Sequence, residues 1–304
     1  MKIFYNEKKC NSFTCWFKLF ELLNELIDSI KRFEESKNVA ICILNAGLKK
    51  AEIESLSKKV DEIKEANWDI EVPKYKIGQK EWLKSQVSRA FIPNYFTGYE
   101  KYLWIDADAW VNSWEAIELY FKGCENKKLA IATSADRSYG RVLRAEWLFK
   151  SFATIKSQNY KHAKSSGFSE KIARQVALMP HLNIGVFSLE NNAPHWKIWQ
   201  KNLKQALNKG KIWGSEQIAM NVTIYVDNLA VEILPAYCNW TLINKLKYDQ
   251  TKNTLVEYYL PNHEIGIVHL AGKNNDHIRY NKEYLRELET LDGNIIKKKL
   301  RFNS

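Results

Sequence analysis

Strand-like and helix-like segments alternate along the first half of this 304-residue chain. Residues 39–44 and 102–106 are short runs with apolar residues on both faces, which is typical of strands covered by helices on either side. Segments with helical periodicity, including residues 50–64 and 114–122, follow such runs. This alternation predicts an α/β fold in which a Rossmann-like, mostly parallel sheet carries helices on both faces.

The predicted elements extend through most of the chain, which is long enough for one main domain with a smaller lobe. Strands are predicted at residues 2–5, 39–44, 69–72, 102–106, 129–133, 182–189 and 264–269. Helices are predicted at residues 16–35, 50–64, 81–91, 114–122, 192–207 and 215–225. Residues 139–178 hold two polar, basic helical stretches and are interpreted as an insertion over the sheet edge. We therefore expect one domain at residues 1–279, followed at residues 280–304 by a C-terminal helix and a basic tail.

Two carboxylates close the strand predicted at residues 102–106, in the order Asp106-Ala107-Asp108. In an extended chain, residues i and i+2 project to the same side, so both charges would face one point and repel each other without a cation. Ligands of open α/β sheets bind beyond the carboxyl ends of the strands, where this pair is expected. The pattern predicts a site for Mg²⁺ or Mn²⁺ with nucleotide phosphates as further ligands. A solvated turn before the helix at residues 114–122 is the alternative.

Composition limits the class of protein. Hydrophobic residues at 45% and charged residues at 27% are typical of a globular protein, and no segment approaches the roughly 18 uninterrupted apolar residues of a membrane span. The start lacks an apolar signal core, and the five cysteines form no CxxC pair, so we expect a reducing cytoplasm. The formal charge of +11 favours an anionic partner. Because no nucleic-acid-binding motif is present, nucleic acid is not the expected partner.

The basic run NIIKKKLR at residues 294–301 has two interpretations. It is either a solvated last turn or a contact with an anionic membrane surface. The second interpretation would place the protein peripherally at the inner face of a membrane.

Five short motifs occur in an order that resembles the GT-A nucleotide-sugar glycosyltransferases, most nearly glycosyltransferase family eight with its bacterial galactosyltransferases and glycogenin. They are Ser88-Arg89-Ala90 ahead of Pro93, Asp106-Ala107-Asp108, Asn183-Ile184-Gly185-Val186, Glu216-Gln217-Ile218-Ala219-Met220-Asn221, and His269-Leu270-Ala271-Gly272-Lys273. The resemblance covers residues 2–277 and implies a GT-A fold with a smaller region on the acceptor side.

The resemblance also implies roles for individual residues. His269 would complete the metal site of Asp106 and Asp108. Glu216 and Gln217, where the family has Asp-Gln, would line the reacting face. Contacts with the nucleotide-sugar donor are implied for Arg89, Asn183, Gly185, Gly272 and Lys273. Structural alternatives stay open, among them an ordinary ion pair for Arg89, a backbone-bonded bulge for Asn183 and a solvated loop charge for Lys273.

Together these implications predict a metal-dependent glycosyltransferase that moves a hexose from a UDP-linked donor to a hydroxyl of a glycan or glycolipid, with retention. An inverting enzyme would need a carboxylate base, for which Glu216 or Asp136 is the candidate. A nucleotidyltransferase is the first rival, although the absence of glycine at residues 6–14 counts against its phosphate loop. A catalytically silent basic module that binds glycans or a membrane surface is the second.

Overall fold

The computed structural model describes residues 9–15, 19–139, 143–148 and 152–302. Its strands are β1 (Lys9–Cys15), β2 (Val39–Asn45), β3 (Glu62–Glu65), β4 (Lys101–Ile105), β5 (Ala109–Val111), β6 (Leu129–Thr133), β7 (Leu143–Leu148), β8 (Phe152–Ser157), β9 (Leu182–Glu190), β10 (Val231–Leu234), β11 (Trp240–Thr241), β12 (Leu246–Asp249), β13 (Thr254–Glu257), β14 (Ile267–His269), β15 (Leu285–Thr290) and β16 (Ile295–Lys299). Its α-helices are α1 (Phe20–Lys31), α2 (Lys50–Leu56), α3 (Lys74–Ile77), α4 (Lys84–Ser88), α5 (Ile92–Tyr95), α6 (Trp114–Gly123), α7 (Gln158–Ser165), α8 (Glu170–Val176), α9 (His195–Lys209), α10 (Ser215–Tyr225) and α11 (Asp276–Tyr280).

Seven strands form the main sheet in the order β10-β6-β9-β4-β1-β2-β3. All neighbouring pairs are parallel except those of β9, which runs antiparallel to β4 and β6. The prediction of a mostly parallel sheet is confirmed. The direction of β9 is not visible in the sequence, because a strand buried on both faces has the same apolar composition whichever way it runs.

The central strands are covered on both faces, as predicted. In β4, the side chains of Tyr102 and Trp104 pack into one apolar layer and those of Leu103 and Ile105 into the other, because successive side chains in a strand alternate. Helices α1, α2 and α6 contribute to the layer that contains Leu103, whereas α9 and α10 contribute to the layer that contains Trp104. The sheet therefore has a core on each side.

The first strand lies later in the chain than predicted. The strand predicted at residues 2–5 falls outside the described residues, and β1 occupies residues that were expected to form a loop. Helix α1 is shorter than the prediction at residues 16–35, and Glu34–Asn38 form a 3-10 helix. Pairing with β2 on one edge and β4 on the other stabilises β1, and a polar segment such as KCNSFTC does not reveal such tertiary pairing.

The edge strand β3 was predicted as helix. The helix predicted at residues 50–64 ends at Leu56, and Glu62–Glu65 pair with the end of β2 instead. Glu and Lys favour helices locally, so the backbone ladder to β2 overrides the propensity. The strand predicted at residues 69–72 is wrong, because these residues form a loop.

The helix predicted at residues 81–91 is divided into three parts. The 3-10 helices Glu81–Leu83 and Arg89–Phe91 flank α4. Helical structure continues past the predicted end as α5, and Pro93 lies in its first turn, where the missing N–H breaks no helical hydrogen bond.

The segment at residues 139–178 is helical only in its second half. Strands β7 and β8 form an antiparallel hairpin, and α7 and α8 follow, with Ser157 and Ser169 as their N-caps. The expectation of two helical stretches is thus confirmed for α7 and α8 and wrong for the hairpin. Trp147 and Ile155 on the hairpin are 71% and 63% exposed, so these apolar side chains do not pack into the core.

The C-terminal residues form strands, so the helix expected within residues 280–304 is wrong for the described part. Strands β15 and β16 make a hairpin, and β15 pairs with β12 in a four-stranded sheet of order β13-β12-β15-β16. The hairpin turns at Asp292-Gly293, where Gly293 has a φ of +86°, which glycine adopts without strain. No helix of the described residues has both the length and the apolar character needed to cross a membrane.

A separate three-stranded sheet of order β11-β14-β5 lies beside the Asp106-Ala107-Asp108 segment. Strands β4 and β5 are separated only by residues 106–108, so the Asp-x-Asp segment connects the main sheet to the small one. The predicted late strand at residues 264–269 is the shorter β14, which pairs with β5.

Candidate functional site

Asp106 and Asp108 lie in a turn between two sheets. The backbone N–H of Asp106 donates to the carbonyl oxygen of Gly185 on β9 (2.7 Å), and that of Ala109 donates back to Asp106 (3.1 Å). An extended chain was expected at this point. The chain turns here instead, and the turn also brings both carboxylates to one site.

His269 completes a cluster with the two carboxylates. It ends β14 and is paired in register with Ala109, so it stands beside the Asp-x-Asp turn. One ligand atom each from Asp106, Asp108 and His269 lies within 4.8 Å of the others. His269 Nε2 is 3.3 Å from Asp108 Oδ1, and its Nδ1 is 2.9 Å from Asn239 Oδ1. Since Asn239 holds Nδ1, Nε2 is the nitrogen that faces the cluster.

Position 185 requires glycine, because the side chains of His269 and Asp106 lie very close to its backbone. A Cβ built at Gly185 would lie 2.4 Å from His269 Cε1 and 3.1 Å from Asp106 Oδ2. Only a residue without a side chain fits between β9 and the imidazole at these distances. Asn183, two residues earlier, is half-buried, and its Oδ1 accepts from the N–H of Gly185 (3.1 Å). The structure thus brings the predicted Asn-x-Gly pair to the cluster.

Arg89 holds Asp106 from the protein interior. Its Nη2 donates to Asp106 Oδ1 (3.1 Å), its Nη1 donates to the carbonyl oxygen of Ile184 (3.3 Å), and its guanidinium lies 4.9 Å from the ring centre of Trp104. The Arg89 side chain is only 4% exposed. The ion pair that was the alternative interpretation for Arg89 is present, and its partner is a member of the cluster.

Arg279 holds Asp108 from the other side and was missed by the sequence analysis. Its Nη1 donates to Asp108 Oδ2 (3.0 Å), and its Nη2 donates to Asp276 and to the carbonyl oxygen of Gly272 (3.3 Å). Arg279 follows Asp108 by 171 residues and belongs to no motif, so no sequence signal connects the two.

The pKa values of the two carboxyl groups shift in opposite directions. Burial raises the pKa of Asp106, and the charges of Arg89 and His269 do not cancel this effect. Burial also acts to raise the pKa of Asp108, but the hydrogen bond and charge of His269, together with Arg279, hold it well below its usual range. Burial acts to lower the pKa of His269, and Asp108 reverses this, so the pKa is raised. The cluster therefore favours additional positive charge.

The donor set suits a divalent cation. Two carboxylates and an imidazole are ligands of first-row divalent ions, and the Asn239 contact fixes the ring in the orientation that such ligands need. The absence of a Cβ at Gly185 keeps the cluster compact. The expected metal site thus corresponds to a cluster of Asp106, Asp108 and His269 that is able to hold an ion.

Glu216 is a buried carboxyl group in the first turn of α10. It is 4% exposed, and burial raises its pKa to about 7, although Arg89 opposes the shift. In the amide orientation that satisfies both neighbours, Gln86 donates to Glu216 Oε1 and accepts from Arg89 Nη2 (3.2 Å). Among the described residues, Glu216 Oε2 has no hydrogen-bond partner. A chain of contacts thus runs from Glu216 through Gln86 and Arg89 to Asp106.

Gln217 faces a different set of partners. Its Nε2 contacts His181 Nε2 and donates to the carbonyl oxygen of Leu182 (3.1 Å). Leu182 lies on β9, one residue before Asn183, so Gln217 borders the strand that carries the Asn-x-Gly pair.

Gly272, Lys273 and Asp136 are the remaining residues that the sequence predicted for the site. Gly272 has a φ of +95° and turns the chain directly after β14. Lys273 begins a 3-10 helix, but its side chain lies outside the described part of the chain. Asp136, the candidate base of an inverting enzyme, accepts from the backbone N–H of Ser138 (2.9 Å) in a turn after β6.

Several solved structures similar to this one are glycosyltransferases. The sequence matches no protein-family model and no curated protein. The bifunctional glycosyltransferase WbbM in its apo form has a TM-score of 0.55 and 16% identity, covering 90% of this chain but only 47% of the WbbM chain. The galactosyltransferase LgtC, in complex with donor and acceptor sugar analogs, has a TM-score of 0.52 and 12% identity over 87% of both chains. Mouse xyloside xylosyltransferase 1, in its apo form, has a TM-score of 0.50 and 10% identity over 88% of this chain and 99% of that chain.

These similarities identify the architecture. The chain has the GT-A fold of glycosyltransferases, which confirms the fold expected from the five motifs. It spans about half the length of WbbM. At identities of 10–16%, what is shared is the path of the chain rather than a particular donor or acceptor.

Proposed function

We propose that this chain is a metal-dependent glycosyltransferase that moves a hexose from a UDP-linked donor to a hydroxyl of a glycan or glycolipid, with retention. The observation that carries the proposal is the convergence of Asp106, Asp108 and His269 where β4 ends in a GT-A fold. This is the end of an open α/β sheet where ligands bind. LgtC, which has the same fold, was solved with donor and acceptor sugar analogs, and this supports two sugar sites on such a scaffold.

The proposed ion is Mn²⁺ or Mg²⁺, held by the two carboxylates and by Nε2 of His269. An imidazole ligand favours Mn²⁺, because Mg²⁺ prefers oxygen ligands alone. When bound, such an ion would neutralise the negative charge that grows on the departing diphosphate.

The two arginines are proposed to have separate tasks. Arg89 is nearly inaccessible and binds Asp106, Gln86 and a backbone carbonyl, so it fixes the position of the carboxylate. The Arg279 side chain is more accessible, at 17% exposure. It is therefore the better candidate to turn toward a diphosphate once a cation compensates Asp108. Gly272 and Lys273 follow His269 closely along the chain and are proposed to contact the same diphosphate.

The polar residues between β9 and α10 are proposed to line the donor sugar. Asn183 and Gly185 border the cluster, and Gln217 borders the same strand. Glu216 has a pKa of about 7 because of its burial, so it is a weak base near neutral pH. Retention does not need a strong base from the protein, and this agrees with Glu216 and Gln217 as sugar contacts.

The proposal includes contact with an anionic membrane through the basic C-terminal strand. Strand β16 lies at the edge of its sheet, and Ile295 on it is 63% exposed beside Lys297 and Lys298. Basic residues near an anionic surface contribute about 1 kcal/mol each to binding. A lipid-linked acceptor would then be presented at that surface.

A substrate panel tests the reaction class. The protein is incubated with UDP-glucose, UDP-galactose and UDP-N-acetylglucosamine, or with nucleoside triphosphates and sugar phosphates, each with Mn²⁺ and with EDTA. Metal-dependent release of UDP from one of the sugar nucleotides, absent in Asp108→Asn, is the expected result. Pyrophosphate release from a triphosphate would instead identify a nucleotidyltransferase, and turnover in EDTA would contradict the metal role.

A further inference from the structure

A buried histidine, His181, connects the first turn of α10 with the insertion. It immediately precedes β9 and is 2% exposed. Its Nδ1 contacts Asn159 Oδ1 on α7, and its Nε2 contacts Gln217 Nε2 on α10. None of the proposed metal or donor contacts involves this residue.

Asn159 determines which nitrogen of His181 carries the proton. Asn159 Nδ2 donates to the backbone carbonyl oxygens of Val176 (3.1 Å) and Met179 (2.9 Å). A primary amide has two N–H donors, so both are used, and Oδ1 is left as an acceptor toward His181. The ring nitrogen that faces an acceptor has to donate. Nδ1 of His181 is therefore the protonated one.

The opposite nitrogen of His181 is then an acceptor. Burial lowers the pKa of His181 to about 4, and the neighbouring His162 adds to the shift, so the ring is neutral near pH 7. A neutral ring with its proton on Nδ1 has a lone pair on Nε2, and the amide nitrogen of Gln217 faces it. Gln158 Nε2 is a second, more distant donor, 3.5 Å from the same atom.

Gln217 consequently has one favoured amide orientation. Its Nε2 is used twice, toward His181 and toward the carbonyl oxygen of Leu182 (3.1 Å). With Nε2 engaged by these two groups, Oε1 is the remaining polar atom of the amide and is an acceptor. Leu182 is three residues before Gly185, which borders the metal cluster.

We propose that His181 is a positioning residue that keeps the carboxamide oxygen of Gln217 turned toward the donor sugar, and that Asn159 selects the imidazole tautomer that does so. The inference rests on the proposed function. In glycosyl transfer, positive charge develops at the anomeric carbon of the donor sugar. A carbonyl oxygen that is already fixed in place stabilises this charge without reorganisation of the site. Without His181, the amide of Gln217 keeps only the hydrogen bond to the carbonyl oxygen of Leu182, so its orientation is held less firmly.

Kinetics of His181→Leu separate positioning from binding. The substitution removes the acceptor nitrogen, and we expect kcat to fall about a hundredfold, as for other small misplacements of a reacting group. KM for the donor and the Mn²⁺-dependent affinity for UDP should stay within about threefold, because the metal cluster is unchanged. A kcat within about threefold of the parent overturns the inference.

Two further variants distinguish positioning from stability. His181→Gln offers a carbonyl oxygen to Gln217 and should recover about tenfold of the lost kcat. His195→Leu is the matched control, because His195 is also buried, with Nε2 2.8 Å from the carbonyl oxygen of Ala230, but lies at the start of α9. This control should lower Tm while kcat of the folded protein is unchanged. An equal loss of kcat in both leucine variants would make His181 merely structural and overturn the inference.

A spectroscopic measurement tests the geometry independently of turnover. Nitrogen-15 NMR of histidine-labelled protein at pH 7, with His181→Leu for assignment, reports the tautomer. A proton on Nδ1 and an unprotonated Nε2 support the inference, whereas a proton on Nε2 overturns it. A parent that processes no sugar nucleotide contradicts the proposed function, while an active parent with an unaffected His181→Leu variant contradicts only the inference.

Discussion

The cluster of Asp106, Asp108 and His269 and the first turn of α10 balance their buried polar groups in different ways. In the cluster, each carboxylate has a cationic partner, since Arg89 binds Asp106 and Arg279 binds Asp108. At the start of α10, the carboxyl group of Glu216 has a pKa of about 7 and one oxygen without a partner among the described residues. Fixed charge is suited to a cation and a diphosphate, and a near-neutral polar surface is suited to a sugar.

This difference implies that substitutions in the two regions affect different quantities. Changes in the cluster should remove metal and nucleotide binding. Changes at α10 should alter turnover, or the pH dependence of the free energy of unfolding, while nucleotide binding is retained. Substitutions in each region, and at the C-terminal strand outside both, test this division.

Asp108→Asn should abolish metal-dependent transfer, the largest effect expected of any single substitution. The neutral amide removes one anionic ligand and leaves His269 and Arg279 without their shared carboxylate. Loss of a group beside a metal ligand typically costs 10- to 100-fold, so loss of a ligand itself should cost more than about a hundredfold in turnover. UDP release from the best donor measures it, with Asp61→Asn, directly before the edge strand β3, as the control. Turnover near the parent value in Asp108→Asn would remove this residue from the metal site.

Gly185→Ala should weaken Mn²⁺ binding by about tenfold or more. The added Cβ would lie 2.4 Å from His269 Cε1, so the imidazole has to move. Electron paramagnetic resonance of free Mn²⁺ gives the affinity. A double-mutant cycle provides the control, because Gly185→Ala should add little once His269 is replaced by Ala. An equal penalty in both backgrounds would show that Gly185 acts independently of His269.

Glu216→Gln should stabilise the fold at alkaline pH. The carboxyl group ionises near pH 4.3 in an unfolded chain and at a pKa of about 7 in the fold. Between these values the folded protein binds more protons, so the free energy of unfolding decreases as the pH rises. The variant lacks this penalty and should exceed the parent by up to about 3 kcal/mol at pH 8, with no gain near pH 4.

Urea unfolding in EDTA at both pH values measures the effect of Glu216→Gln. Glu170→Gln is the control, because hydrogen bonds from Lys164, Tyr160 and Arg174 lower the pKa of that exposed carboxylate to about 2. This control should gain no stability at pH 8. A Glu216→Gln variant that is equally destabilised at both pH values would mean that Glu216 is ionised and well paired in the fold.

Replacing Lys297 and Lys298 with Gln should reduce membrane binding, and this effect should be smaller than those of the substitutions near the site. Each basic residue near an anionic surface contributes about 1 kcal/mol, and salt screens it. Sedimentation with anionic liposomes at low and high salt measures the change. Because Lys197 and Lys201 lie on α9 rather than β16, the variant with Gln at these two positions is the control. Binding that the β16 substitutions leave unchanged would exclude the C-terminal strand as the contact.

Local patterns predicted the parts of the site that are close together in sequence. The Asp106-x-Asp108 pair follows a β-prone run, and Asn183 and Gly185 stand out in an otherwise apolar strand. His269 came only from family resemblance, because the pairing of β14 with β5 joins segments that are about 160 residues apart in the chain. Arg279, Asn239 and His181 gave no local signal, since each acts through a tertiary contact.

The wrong predictions of secondary structure also come from tertiary contacts that local sequence does not show. Strand β3 and the C-terminal hairpin contain many Lys and Glu residues, so local propensity favoured helices. Pairing with β2 and with β12 makes them strands. Such pairing depends on partners that are distant in sequence, and one chain read alone does not contain that information.

A calorimetric titration with UDP, in Mn²⁺ and in EDTA, measures directly whether nucleotide binding at Asp106, Asp108 and His269 depends on a metal ion. We expect saturable binding in Mn²⁺ that EDTA weakens by at least about tenfold, and that is lost in His269→Ala. Binding of equal affinity in both buffers, or no binding of UDP in either, would contradict a metal-dependent nucleotide-sugar site at Asp106, Asp108 and His269.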